Sequence, residues 1–181
     1  MTDINTGLEN KKKDTDEIIE CLSKLEIFED FKNLNGKDKA FLEKVSSLLK
    51  AQTFQAGTAI IKENETGNSL YILVEGEVQI LRTTPEGSPF AITNLKAEEH
   101  ICFGETSLVE HGCHTSSVKA VTGCKALALS SDDFLNLCNK EPEQGCKMLY
   151  RLARLLSKSL RKTTKDSLTL YQALLDEVGT P

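Results

Sequence analysis

The sequence predicts a mainly β domain in which an antiparallel β-roll or sandwich is flanked by helices. Apolar residues recur at helical spacing over residues 16–50, with a period of two over 51–130, and at helical spacing again over 131–178. The chain has 181 residues, which suits one domain with a sizeable core and leaves little room for a second. We therefore predict a mobile tail over residues 1–15 and a single domain over 16–178.

The N-terminal part of this domain, residues 16–50, is predicted to be a helical lead-in. The tail before it is charged, low in hydrophobicity, and contains Lys11, Lys12 and Lys13. Asn35 and Gly36 indicate a break between two helices. On either side of that break, apolar residues follow at spacings of three and four: Ile18, Ile19, Leu22 and Leu25, then Phe41, Leu42, Val45, Leu48 and Leu49.

Short β-rich segments separated by turn residues follow over residues 51–130, the predicted roll. Gly57, Gly67, Gly76 and Gly87 recur about every ten residues and separate the apolar runs. Several short strands at this spacing favour an antiparallel roll. The predicted strand segments are 53–54, 59–61, 70–74, 78–81, 90–93, 118–121 and 126–129.

The pattern returns to helix after Ser130, which is a candidate N-cap together with Ser131 because Asp132 and Asp133 follow. A longer helix is predicted from Pro142 to about Val178. A seam in steps of three and four would pack against the roll or against a second helix, and we expect it to form a homodimer. Its positions are Leu149, Leu152, Leu156, Leu160, Thr163, Ser167, Leu170 and Leu174.

Composition and the motifs that are present weigh against several classes of function. A formal net charge of −5 and the absence of tryptophan weigh against nucleic acid as the main partner. The six cysteines form no Cys-x-x-Cys pair, so we expect reduced thiols and no metal site. We expect a cytoplasmic protein, because no signal peptide or membrane span is evident. Nothing resembles a catalytic triad or a P-loop, and we expect no enzyme.

Four motifs occur in a particular order: Phe54-x-x-Gly57-x-x-Ile60, Gly67-x-x-Leu70-Tyr71-Ile72-Leu73-Val74-x-Gly76-x-Val78, Phe103-Gly104-Glu105-Thr106-Ser107-Leu108, and Val118-Lys119-Ala120. In this order and spacing they resemble the cyclic nucleotide-binding domain family over about residues 22–160. The resemblance implies an antiparallel β-roll, or jelly roll, with N-terminal helices and two C-terminal helices, the last one long.

The resemblance also implies that residues 103–108 open a phosphate-binding cassette. Gly104 would let the backbone approach the phosphate, and Glu105 would accept a hydrogen bond from the ribose 2′-hydroxyl. Thr106, Ser107 and Leu108 would present backbone N–H groups to the phosphate. In the family, an arginine about nine residues beyond the glutamate clamps the phosphate through its planar fork.

At that position this chain has His114, which is followed by the small hydroxyl residues Thr115 and Ser116. The chain has four arginines, and none of them lies in the cassette: Arg82, Arg151, Arg154 and Arg161. The acceptor for the sugar is therefore kept, whereas the guanidinium for the phosphate is absent. Neutral His114 would supply one donor and no charge at pH 7.

Two functions follow from these observations. The chain is either a sensor that binds cyclic AMP or cyclic GMP weakly, or a ligand-independent module that dimerises or docks on a signalling protein through its last helix. A third class, the catabolite-activator type of transcription factor, carries a DNA-binding helix-turn-helix after the long helix. The sequence ends at Pro181, so we expect no DNA partner, and we expect no membrane partner.

Overall fold

A computed structural model describes residues 15–31, 36–110 and 112–179, so the predicted tail lies almost entirely outside the described residues. Residues 15–24 form helix α1, and a 3-10 helix, Glu26–Phe31, follows it. The other α-helices are α2 (Gly36–Leu48), α3 (Ser131–Lys140) and α4 (Pro142–Val178). The strands are β1 (Lys50–Phe54), β2 (Ala59–Ile61), β3 (Ser69–Glu75), β4 (Glu77–Thr83), β5 (Pro89–Lys96), β6 (Cys102–Phe103), β7 (Ser117–Ala120) and β8 (Cys124–Ser130).

These strands form two four-stranded antiparallel sheets, in the orders β1-β8-β3-β6 and β2-β7-β4-β5. The prediction of an antiparallel β-roll with flanking helices is confirmed. Strand β6 was not among the predicted segments. It pairs with β3 through two residue pairs only, Tyr71 with Phe103 and Ile72 with Cys102. A run of two residues is too short to show an alternating pattern in the sequence.

Two hydrophobic clusters lie on opposite faces of β3. Leu70 and Ile72 belong to a cluster under the helices, whereas Tyr71 and Leu73 face the interior of the roll. This alternation is the period-two pattern of a strand that is covered on both faces. The helical cluster is centred on four buried aromatic rings, those of Phe28, Phe31, Phe41 and Phe134. The roll cluster contains Ile61, Leu73, Val78, Phe103, Val118, Ala120 and Cys124.

The C-terminal helices begin as the sequence predicts. The Ser130 hydroxyl accepts the Asp133 N–H at 3.2 Å and caps α3. Pro142 opens α4, where its missing N–H has no helical partner to lose. Gly145 lies in the first turn of α4 and has a packing role. A Cβ at this position would lie 2.7 Å from Cys138 Cα, so the glycine allows α3 and α4 to pack closely.

Helix α4 has 37 residues, and its second half leaves the body of the domain. Residues 157–178 are exposed apart from the half-buried Leu175. Within residues 15–31, 36–110 and 112–179, neither α4 nor any other helix combines the length and the apolar character that crossing a membrane requires.

Candidate functional site

A small cavity of about 140 Å³ lies between the loop before β7 and the 3-10 helix Glu105–Leu108. Its apolar wall comes from Ile61, Ile80, Phe103 and Val118, and its polar wall comes from Gly104, Glu105, Thr106, His114, Thr115 and Ser116. Six of the eight ligand residues predicted from the sequence therefore lie around one cavity. They come from two segments that are separated in the chain and joined by the fold.

The other two predicted ligand residues, Ser107 and Leu108, do not line this cavity. Leu108 is fully buried in the helical cluster. The Ser107 N–H donates to the Gly104 carbonyl at 3.1 Å and is already used within the turn. Because neither residue lines the cavity, the geometry does not favour their expected role as N–H donors to the phosphate.

Gly104 is required by its backbone and by its surroundings. Its φ of 78° lies in the left-handed region, and it starts the 3-10 helix. A Cβ here would lie 2.8 Å from the Ser69 carbonyl oxygen on β3 and 3.2 Å from Ile61 Cδ1. The cassette backbone therefore passes directly against β3, and only glycine permits this approach.

Backbone donors are available around the cavity. The N–H groups of Glu105, Thr106, Thr115 and Ser116 donate to no atom of the described residues. A backbone N–H that lacks a protein partner needs water or a ligand. Successive free N–H groups at a turn are a usual means of holding an anion. The cassette therefore has the donors for a phosphate without any charged side chain.

His114 is held firmly beside these donors. Its N–H donates to the Glu65 carbonyl at 3.0 Å, and its carbonyl accepts the Asn64 N–H at 2.9 Å. Its ring lies directly on Gly67, where a Cβ would be 1.8 Å from His114 Nε2. Gly67 was predicted only as a turn residue, but the structure shows that its missing side chain is what makes room for the imidazole.

The charge of the cavity follows from this placement. Burial lowers the pKa of His114, so the imidazole is neutral at pH 7. No lysine or arginine is among the residues that line the cavity, whereas the carboxylate of Glu105 is. The site therefore offers hydrogen bonds to an anion but no positive side chain at neutral pH.

Thiol chemistry is suppressed next to the cassette. Burial, together with the nearby carboxylates of Glu105 and Glu26, raises the pKa of the Cys102 thiol to about 12. A thiol with this pKa stays protonated and is a poor nucleophile. Within the part of the chain that the structure describes, which omits His111, no three His, Cys, Asp or Glu side chains are grouped to hold a metal.

The predicted dimer seam divides into two parts along α4. Leu152 is only 1% exposed and belongs to the core, Leu156 is partly buried against the same cluster, and Leu149 is 39% exposed. The predicted role of Leu152 in self-association is therefore replaced by packing within the monomer. Leu160, Leu170 and Leu174 are exposed at 68%, 72% and 56%, so the unpartnered part of the seam begins at residue 160.

The chain matches the sequence model of a known protein family. The cyclic nucleotide-binding domain family model matches residues 51–141, just over half of the 181 residues. The matched range covers β1 apart from Lys50, strands β2–β8, all the cavity residues and helix α3. It thus includes every position at which the sequence and the structure indicate a cassette.

Two curated relatives match this chain over only part of their own length. The chain is 28% identical over 131 residues to the "CRP-like cAMP-activated global transcriptional regulator" of Mycobacterium tuberculosis, covering 72% of this chain and 56% of the relative. It is 30% identical over 116 residues to the "Cyclic AMP receptor protein" of Thermus thermophilus, covering 64% and 51%. The chain therefore spans about half the length of these relatives.

Solved structures show the same fold. The Thermus thermophilus catabolite activator protein superposes with a TM-score of 0.65 at 26% identity, covering 76% of this chain and 62% of that one. A cyclic nucleotide-binding domain from Methylobacillus flagellatus superposes with a TM-score of 0.69, covering 87% and 84%. Its identity is 22%, so this second likeness concerns the fold alone.

Replacing Gly67 with alanine tests whether this glycine makes room for the imidazole of His114. The new Cβ would overlap the ring, so His114 should swing into solvent and its pKa should rise toward the ordinary value. Titration of the imidazole by NMR measures this change. Gly123→Ala is the matched control, since no atom lies within 4 Å of its Cβ position. A His114 pKa that stays lowered in Gly67→Ala would show that contacts other than Gly67 bury the ring.

Proposed function

Because the chain belongs to the cyclic nucleotide-binding domain family, we propose that it is a regulatory module that binds a cyclic mononucleotide weakly in the cassette cavity. One observation carries the proposal: Gly104, Glu105 and four unpartnered backbone N–H groups lie around the same cavity. Two of the relatives are named for cyclic AMP, so cyclic AMP is the first ligand to test.

Each group has a role that its chemistry supports. The N–H groups of Glu105, Thr106, Thr115 and Ser116 would hold the phosphate, and the Glu105 carboxylate would accept the ribose 2′-hydroxyl. Neutral His114 would donate one uncharged hydrogen bond. The cavity of about 140 Å³ is smaller than the roughly 300–1,000 Å³ of typical ligand pockets. It therefore suits the phosphate and sugar, with the base directed toward the surface.

Weak binding follows from the missing cation. A charge-assisted bidentate pair contributes about 1.5–3 kcal/mol. Its loss lowers the affinity by roughly ten- to a hundredfold. The Glu105 carboxylate adds a negative charge near the phosphate, and the chain as a whole is negative, which works in the same direction.

Regulation would require that the nucleotide prefer one arrangement of the C-terminal helices over another. Helix α4 packs against α3 and the 3-10 helix Glu26–Phe31, and α3 packs against the 3-10 helix of the cassette. A shift of the cassette on binding therefore has a continuous packed route to α4. Such a shift would change the position of the exposed end of α4, which is the surface available to a partner.

A second function is favoured by a separate observation, the exposed apolar side chains on residues 160–178 of α4. Besides the seam leucines, Tyr171 and Val178 are 60% and 75% exposed. A solitary helix with this much apolar surface is stabilised by a second helix. We therefore propose homodimerisation through α4, which would also serve as an interaction function if no nucleotide is bound.

Isothermal titration calorimetry with cyclic AMP tests the sensor function. We expect His114→Arg to tighten binding roughly ten- to a hundredfold, because it restores a charged phosphate clamp. Gly104→Ala should abolish binding in both backgrounds, since its Cβ would meet the Ser69 carbonyl.

His100→Arg is the matched control, because it adds the same charge at an exposed residue outside the cassette cavity, and it should not change the affinity. No gain from His114→Arg would refute the assignment of position 114 to the phosphate. No response to cyclic AMP or cyclic GMP in any folded variant would favour the dimerisation function alone.

Light scattering of two leucine variants tests the dimer. Leu170→Glu should give a monomer, because it places a charge in the predicted apolar seam. Leu168→Glu is the control, since the two residues have similar exposure but lie about 200° apart around the helix. If both variants have the mass of the wild-type protein, the seam does not mediate association.

A further inference from the structure

A second cavity, of about 360 Å³, lies between α4 and the 3-10 helix Glu26–Phe31. Three of the four arginines of the chain, Arg151, Arg154 and Arg161, line it together with Lys158. A chain with a net charge of −5 thus concentrates its guanidinium groups at one place, which is separate from the cassette. The volume lies within the range of small-ligand pockets, roughly 300–1,000 Å³.

Not all of these cations are engaged within the protein. Arg151 is buried and forms ion pairs with Glu29 and Asp30, and its Nε donates to no described residue. Lys158 Nζ lies 3.0 Å from Glu26 Oε1. Arg154 and Arg161 line the cavity and form no ion pair with any residue that the structure describes. The cavity therefore has two unpaired guanidinium groups above a buried, ion-paired one.

The spacing places the available cations on one face of the helix. Arg154, Lys158 and Arg161 are at positions i, i+4 and i+7 of α4. This face points away from the side of α4 that carries Leu170 and Leu174. A ligand in this cavity and a second helix on the predicted seam would therefore not compete for the same surface.

We propose that this cavity binds a soluble oligophosphate, an anion with two or more phosphate groups. Arg154 and Arg161 would each bind phosphate oxygens through their planar forks, and Lys158 between them would act as a point charge. A cavity of about 360 Å³ suits a small soluble anion better than the extended surface of an anionic membrane.

Binding would also change how α4 is attached to the domain. In the free protein, Lys158 on α4 is paired with Glu26 on the 3-10 helix. An oligophosphate would replace Glu26 as the partner of Lys158. The ion pair that joins α4 to the 3-10 helix would then be lost, and Lys158 would contact the ligand instead. The proposal goes beyond cyclic nucleotide binding and depends on none of the cassette residues.

Calorimetry with inorganic pyrophosphate, at physiological ionic strength, tests the proposal. We expect saturable binding with one pyrophosphate per chain, weakened at least about tenfold by Arg154→Gln and by Arg161→Gln. Glu26→Gln should tighten binding, because it removes the carboxylate that competes for Lys158. Circular dichroism confirms that each variant is folded.

The matched controls are Arg82→Gln and Glu20→Gln, which alter ion-paired residues outside the cavity and should leave the affinity unchanged. The proposal is overturned by the absence of saturable binding, or by an equal loss of affinity in Arg82→Gln. It is also overturned if Gly104→Ala abolishes pyrophosphate binding, which would place the anion in the cassette. Binding to phosphoinositide-containing phosphatidylcholine vesicles without binding to pyrophosphate would overturn it too.

Discussion

The packing of strand β3 on both of its faces is the constraint on which the rest of the structure depends. One face of β3 supports the helical cluster through Leu70 and Ile72, and the other closes the interior of the roll through Leu73. At its start, the Ser69 carbonyl leaves no room for a side chain at Gly104. Just before it, the Asn68 carbonyl accepts the Ser131 N–H at 2.7 Å. A single strand thus positions the cassette and the start of the C-terminal helices together.

The distribution of charge separates two sites that the fold places apart. The cassette cavity is lined by backbone donors, one carboxylate and an imidazole that burial keeps neutral. Three of the four arginines instead lie along α4, beside the acidic 3-10 helix. Recognition of an anion in the cassette would therefore rest on geometry, whereas recognition at α4 would rest on charge. This difference predicts that the α4 site is the more sensitive of the two to salt, because salt screens exposed charges.

Much of the fold could be predicted because it depends on local patterns. The alternation around Leu70–Leu73, the cap at Ser130 and the run of α4 from Pro142 are each visible in neighbouring residues. The two-residue strand β6 and the 3-10 character of Glu26–Phe31 were not visible, since neither is long enough to show a period.

The candidate site was predictable only in part, for a related reason. The resemblance located Gly104, Glu105 and His114, but the contact between His114 and Gly67 joins segments 47 positions apart in the numbering. The burial of Leu108 and Leu152 likewise depends on what the folded chain places over them. The arginine cavity needed the 3-10 helix to be placed against α4. A sequence shows the spacing of such residues, but only the fold shows what faces them.

In the proposed function the cassette holds an anion, and its only titratable donor is a half-buried His114 that is neutral in the free protein. The direct measurement is the calorimetric affinity for cyclic AMP at about pH 8 and about pH 6. A bound phosphate favours the imidazolium and raises the pKa of His114, so binding takes up a proton and the affinity should increase as the pH falls. In His114→Gln this pH dependence should disappear. Two results would contradict the account: a wild-type affinity that is the same at both pH values, or a pH dependence of equal size in the wild-type protein and in His114→Gln.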